Sequence, residues 1–372
     1  MNVVERHRSE NGSSSRAGST TWRSVDPREY SQAQWDGGLP EDERITSFHR
    51  HGWLNALSET YGYRPRFFIK GHLSEGLDGL APLMEVRSPV TGIRAVSLPF
   101  TDHCESIVPS GHSEGCRQAL FCDARSRRWG RVDFHGTPAI ASSNGSEMAP
   151  AWKRYYQHRL VCHRDPQAQR AALAGSHRRS VRRAAENDVR VDFSHSWESV
   201  REYYALHCKT RKRHGAPPQP LSWFRSLHRH CLGEGKGFVA IARKGETPIS
   251  GGVFLVFRNR AIYKYGASDY RFSELRGANA VFWHVLRKLA DEHYEELDFG
   301  VTSMEHSGLR RFKLGWGVEE KILNYYRYDL ARDSYIPASQ GGKRGVRSEA
   351  LLSRAPVWFL RLVGKVLYRH VA

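Results

Sequence analysis

Lys313 stands where a lysine needs a reason. In Gly308-Leu309-Arg310-Arg311-Phe312-Lys313-Leu314-Gly315-Trp316-Gly317, the residues Leu309, Phe312, Lys313 and Trp316 are spaced i, i+3, i+4 and i+7, the spacing of one buried helical face. A lysine on that stripe either snorkels to water along its apolar stem or holds its ammonium against negative charge in a pocket. Just upstream, Leu297-Asp298-Phe299-Gly300 reads as a short strand ending at a glycine, as at a crevice where a ligand binds. Asp298 and, in the loop Leu98-Pro99-Phe100-Thr101-Asp102-His103-Cys104-Glu105, Asp102 are carboxylates that could take an amine proton once burial raises their proton affinity. That loop, with His103 between two acids, fits both an Asp-capped turn and a catalytic loop.

Other candidates are cationic. Trp197, Val200 and Tyr204 form a helical core stripe that runs into His207, Arg211 and His214, so the helix end either lines a pocket or is a charged terminus favoured by the helix dipole. His177-Arg178-Arg179-Ser180-Val181-Arg182-Arg183 is either a solvated helix face or a phosphate seat, with Arg179 and Arg182 as forked donors. Arg276, Gly277 and Asn279 open a helix whose free N–H groups could hold an anion. In Lys264-Tyr265-Gly266-Ala267, the small residues permit close approach of a ligand to the backbone.

The elements that must position these residues are legible from periodicity. A helix over 48–61 precedes strands at 66–69, 80–86 and 93–98, a helix at 114–128, a strand at 132–134 and an extended segment at 152–162. A basic helical connector covers 166–188. Then come a strand at 189–193, helices at 196–213 and 221–232, strands at 238–243, 249–257 and 261–267, and a helix at 277–293. The Lys313 segment and the Tyr-rich strand Ile322-Leu323-Asn324-Tyr325-Tyr326 complete the order.

The run Asp298-Phe299-Gly300, a gap, Gly308-Leu309-x-x-Phe312-Lys313-x-Gly315-Trp316-Gly317 and the Tyr-rich strand resembles the Fem (FemABX) peptidyltransferases and their GNAT-fold acyltransferase relatives. Thr210-Arg211-Lys212-Arg213-His214-Gly215-Ala216-Pro217 is similar to a T-R-x-R-x-G-x-P signature of envelope-polysaccharide relatives, and the loop carrying Asp102 resembles one that faces the acceptor. The resemblance implies an α/β (α+β) fold: tandem GNAT-like domains, each a mixed, mostly antiparallel sheet flanked by helices. It sets two GNAT-like domains at 42–172 and 173–330, while composition makes 1–41 a disordered basic Ser/Gly tail and patterning makes 331–372 a polar linker with a basic amphipathic helix. It also implies that Lys313 acts at the acyl group, with Asp298 or Asp102 as base. His103, Arg211, His214, Lys264, Tyr265, Gly266, Ala267 and Tyr325 are then substrate contacts, and Arg276, Gly277, Asn279, Arg179 and Arg182 are donor-phosphate contacts. Leu275-Arg276-Gly277-Ala278 departs from the usual GNAT pyrophosphate loop, which sets coenzyme A against another phosphate-bearing donor.

The bulk numbers agree with such a role. The chain has 372 residues, 40% hydrophobic and 26% charged, enough for two or three domains with cores. Lys+Arg exceed Asp+Glu by 57 to 39, so polyanions are the natural partners: phosphates of a nucleotide, coenzyme A, tRNA or a membrane surface. Six cysteines without C-x-x-C or zinc spacing predict reduced, structural thiols and no metal site. With no signal-like or membrane-spanning run, a cytoplasmic protein is expected, peripheral on the inner membrane if Val357–Arg369 lies on anionic lipid rather than on the protein's own second domain. The expected activity is acyl or aminoacyl transfer from acyl-CoA or aminoacyl-tRNA, as co-substrate rather than bound cofactor, to an amine of an envelope amino sugar or peptide. The alternatives are a binding protein with a degenerate acyltransferase fold and a nucleic-acid-binding protein. DNA is not an expected partner, since no nucleic-acid motif is present.

Overall fold

A computed structural model describes residues 21–138, 149–233, 235–338 and 351–371. The first strands run β1 (Arg23–Val25), β2 (Arg64–His72), β3 (Gly76–Ser88), β4 (Gly92–Val96) and β5 (Arg131–His135), followed by β6 (Lys153–Val161). Helices α1 (Gln32–Gly38), α2 (His51–Tyr61) and α3 (Ser113–Ser126) flank them. The connector is not one helix but two, α4 (Pro166–Ala172) and α5 (Gly175–Glu186), broken where Leu173 and Ala174 are extended. Beyond it lie β7 (Val189–Ser194), α6 (Trp197–Arg213), α7 (Leu221–Leu227), β8 (Gly237–Lys244), β9 (Thr247–Phe257), β10 (Arg260–Ser268) and α8 (Gly277–Asp291). The chain continues through β11 (Glu296–Ser303), α9 (Ser307–Leu314), β12 (Glu319–Asp329), β13 (Ser334–Tyr335) and α10 (Val357–Leu367).

Local chemistry explains the element ends. Ser31 and Gln34 form a reciprocal capping box on α1, and the Ser196 hydroxyl accepts the Ser199 N–H at 3.2 Å to start α6. In α8, Val281, Val285 and Leu289 repeat at four-residue intervals and are buried against β8 and β9. The helix after Pro220 turns from α into a π-type turn over His228–Leu232 instead of running unbroken to 232.

One sheet holds everything, in the order β1-β2-β3-β4-β5-β12-β6-β11-β10-β9-β8-β7, with β13 beside β12. Among the described residues only β4/β5 and β10/β11 pair in parallel, so each half repeats the same mixed pattern. The halves exchange strands. β6, last of the first half in sequence, pairs with β11, while β12, last of the second, lies between β5 and β6. The boundary near 172 in sequence is therefore no boundary in the sheet. The core is shared as well: Trp53 of α2 meets Trp223 of α7 edge-on at 5.2 Å between ring centres, both fully buried.

The expected disorder of residues 1–41 is corrected over 21–41; residues 1–20 lie outside the described residues. Trp35 is fully buried, its indole donating to His49 O at 2.9 Å, and Trp22 packs beside α3. Two tryptophans anchor a segment whose remaining composition is polar. Part of the expected linker, 339–350, also lies outside the described residues.

Candidate active site

β10 and β11 pair from Arg260/Glu296 to Ile262/Asp298 and then part. The expected strand end at Gly300 is instead a bulge: β11 continues to Ser303, with its register against β6 shifted between Asp298 and Val301. Gly300 has φ +69°, which a glycine tolerates, and a Cβ there would come within 3.0 Å of Asp102 Cγ. The bulge thus brings the Asp102 loop against the second half.

Lys313 points into this bulge. The residue is 3% exposed, and its ammonium donates to Gly300 O at 3.2 Å and Val301 O at 3.1 Å. Burial pushes its pKa from 10.5 down to about 8, against the pull of Asp102 and Asp298 and with a further push from Lys264. A snorkelling lysine would reach water, and this one does not. The stripe that flags it is only partly buried: Trp316 is inside and Phe312 half-buried, but Leu309 is exposed, a correction to the sequence reading. α9 leans on β11 and β6 by the side carrying Lys313, with Trp316 buried just past its end, which turns Leu309 outward.

The Asp102 carboxylate accepts from Lys264 Nζ at 3.0 Å, and its backbone carbonyl accepts from the Tyr325 hydroxyl at 2.5 Å. Lys264 lies within 5.3 Å of the Phe48 and Tyr265 ring centres, so aromatic faces and one carboxylate hold its charge. Tyr325 stacks on His135 at 4.3 Å, and burial holds that imidazole down at about 4, hence neutral. Asp298 is spent differently: Gly300 N–H donates to Oδ1 at 2.6 Å and Gln157 Nε2 to Oδ2 at 3.0 Å. His103, 2% exposed, lies 3.7 Å from the same oxygen. Asp298 and His103 therefore shape the bulge from beneath, whereas Asp102 is partly open.

Of the remaining candidates, Tyr265 stands at this centre, its hydroxyl accepting from Gln219 and Trp223 at 3.1 and 3.0 Å. The Tyr263 ring covers Gly266, and Ala267 is buried beside it. Arg211 is committed elsewhere, to Pro217 O at 3.2 Å and the Tyr368 hydroxyl at 3.0 Å, and His214 is exposed beside Arg213. Arg276, in the left-handed region at φ 57°, caps α8 ahead of buried Gly277 and Asn279. Arg179 and Arg182 are exposed on α5, Arg182 pairing with Glu186 at 3.2 Å; it is Arg183 that reaches across to Glu274, in the turn before α8.

Sequence reasoning missed Gln157, and also a chain from the surface inward. Arg310 grips Glu320 through two bonds of 2.8 and 2.7 Å, and Glu320 meets buried His158 at 3.0 Å. Burial first and the Lys313 charge second hold His158 below the usual imidazole range. Alternation along β6 could have flagged both residues as facing opposite sides of the sheet, but not their partners.

Residues 171–320 match the acetyltransferase (GNAT) domain family. No curated protein matches the chain in sequence. Among solved structures, FemX superposes with a TM-score of 0.66 at 13% identity, covering 83% of this chain and 98% of its own. A conserved protein of unknown function from Bacteroides thetaiotaomicron VPI-5482 gives 0.52 at 12% identity, covering 79% and 94%. L-PGS from Bacillus licheniformis gives 0.50 at 15% identity, covering 88% and 98%. The chain thus has a Fem-like tandem GNAT fold, with residues 171–320 matching the acetyltransferase (GNAT) domain family and Lys313 buried where two parallel strands part.

Proposed function

We propose that the protein is an acyl- or aminoacyltransferase that moves its group from a phosphate-bearing donor, an acyl-CoA or an aminoacyl-tRNA, to an amine on a cell-envelope polysaccharide or peptidoglycan precursor. The observation that carries this reading is the buried Lys313 ammonium at the parting of β10 and β11, beside the Asp102–Lys264 pair. Two of its protons are held by backbone carbonyls, leaving a third N–H for an incoming carbonyl oxygen.

The acceptor nitrogen attacks the donor carbonyl carbon, forming the C–N bond and a tetrahedral oxyanion. Lys313 stabilises that charge in a site that excludes water, where a donor is worth most. Asp102 takes the ammonium proton, which its openness favours over Asp298, whose oxygens are already occupied. Collapse breaks the bond to the donor's thiolate or ribose oxygen, which leaves with the proton that Asp102 took from the nitrogen. Arg276 and the first N–H groups of α8 hold the donor's phosphates. Fem-type and L-PGS neighbours favour an envelope acceptor.

The test is transfer of a labelled acyl group from a panel of acyl-CoAs and aminoacyl-tRNAs to amino-sugar and peptide precursors, read by mass spectrometry. Transfer by the parent and not by Lys313→Met supports the reading; no transfer from any donor in the presence of specific binding points to a binding protein.

A further inference from the structure

The face of α10 turned away from the protein has no occupant among the described residues. The inner face is firmly seated: Leu360 and Gly364 are buried, and a side chain at Gly364 would collide with Pro218 O. The helix end is tied down by Tyr63, whose hydroxyl donates to Tyr368 O at 2.6 Å, by Arg94, which donates to His370 O at 2.9 Å, and by Arg211 on the Tyr368 hydroxyl. The helix thus docks on both halves of the protein. Yet Trp358, Leu362 and Val366, at four-residue steps, are 68, 55 and 58% exposed, with Phe359 beside them. Arg361, Lys365 and, just past the helix end, Arg369 follow at four-residue steps on the flank between the seated and the outward faces; Arg361 lies over the Tyr204 ring at 5.2 Å, while Lys365 and Arg369 are exposed.

We propose that this face is a docking surface for an anionic lipid bilayer, with the apolar ridge entering the headgroup–acyl boundary and Lys365 and Arg369 on lipid phosphates. Charge complementarity selects that occupant. A second copy would set cationic row against cationic row, on a chain that already carries a formal +18, whereas an anionic bilayer answers both rows at once. Tryptophan at the edge of such a ridge suits the interface, where an amphipathic ring has one apolar and one wet side. The ridge is also close in the chain of contacts to the candidate site: the Tyr368 ring packs edge-on against Phe100 at 5.7 Å, two residues before Asp102. Docking by α10 therefore fixes how the Asp102 loop stands relative to the membrane.

The full chain is sedimented at physiological salt with phosphatidylcholine vesicles, and with vesicles containing phosphatidylglycerol. Bromine-labelled phosphatidylglycerol vesicles report tryptophan insertion by quenching. The expected result is binding to the anionic vesicles alone, quenching that Trp358→Ser abolishes, and binding weakened roughly a hundred-fold by Trp358→Ser with Leu362→Ser, which leaves every charge in place. Circular dichroism confirms that the variants are folded. Failure of the parent to bind, equal binding by the double variant, or a concentration-dependent dimer lost on Leu362→Glu each overturns the proposal. None of these readouts depends on acyl transfer.

Discussion

Replacing Lys313 by Met removes the charge while keeping the stem that lies among apolar neighbours. In the fold, burial lowers the ammonium pKa from 10.5 to about 8, which corresponds to about 3 kcal/mol of preference for the neutral amine. Between those two pH values the unfolded chain binds the proton and the folded chain does not, so folding is favoured as pH rises through the window. Below pH 8 the folded protein bears the cost of a buried charge, partly offset by its bonds to Gly300 O and Val301 O. The Met variant escapes that cost but leaves both carbonyls unanswered, each worth about 1–3 kcal/mol if buried. Near pH 7 the two effects roughly cancel. From pH 7 to pH 10.5 the parent should gain about 3 kcal/mol relative to Lys313→Met, read from urea unfolding of both proteins at each pH. In the transfer assay the same variant should lose roughly a hundred- to a thousand-fold in rate, the worth of an oxyanion donor. A stability gap that does not move with pH refutes the buried charge, and turnover within a few-fold of the parent with normal donor binding refutes the catalytic role.

Turnover of the parent should fall above about pH 8 as Lys313 loses its proton, and a rate that climbs through that pH would recast the residue as a base. Asp102→Asn should lower kcat with little change in donor affinity, while keeping the fold, because Lys264 retains an oxygen to bond; an equal rise in KM alone would make it a binding residue. Arg276→Ala should weaken donor binding and flatten its salt dependence, since a phosphate contact carries counterion release; an unchanged salt slope places the phosphates elsewhere. Trp35→Ala should cost about 3–5 kcal/mol in chemical denaturation, and a loss under 1 kcal/mol would mean that residues 21–40 are not part of the core.

Periodicity made the elements legible because burial of one helical face or of alternate strand positions repeats locally, and Lys313 stood out because it interrupts such a repeat. What stayed illegible is non-local. Nothing near Glu319 announces that β12 will lie between β5 and β6, and Gln157 meets Asp298 from 141 residues away. Arg211 looked like a pocket cation because its partner, the Tyr368 hydroxyl, is 157 residues on. Leu309 misled for a different reason. In an eight-residue helix a stripe of four positions does not say which end of the stripe is pressed to the sheet. Composition failed over 21–40 because Trp22 and Trp35 outweigh their polar neighbours in buried area.

The exchange of β6 and β12 bears on how the chain is made. β5 and β6 leave the ribosome early, and the strand that belongs between them emerges only after the entire second half. Until then both present unpaired inner edges, the kind of surface on which nascent chains stick to one another. Closing the sheet is a late, long-range step and sets a slow pace for maturation. A translation stop or a protease cut in the 166–186 connector frees no working half, because each fragment keeps a gap shaped for the strand the other has taken away.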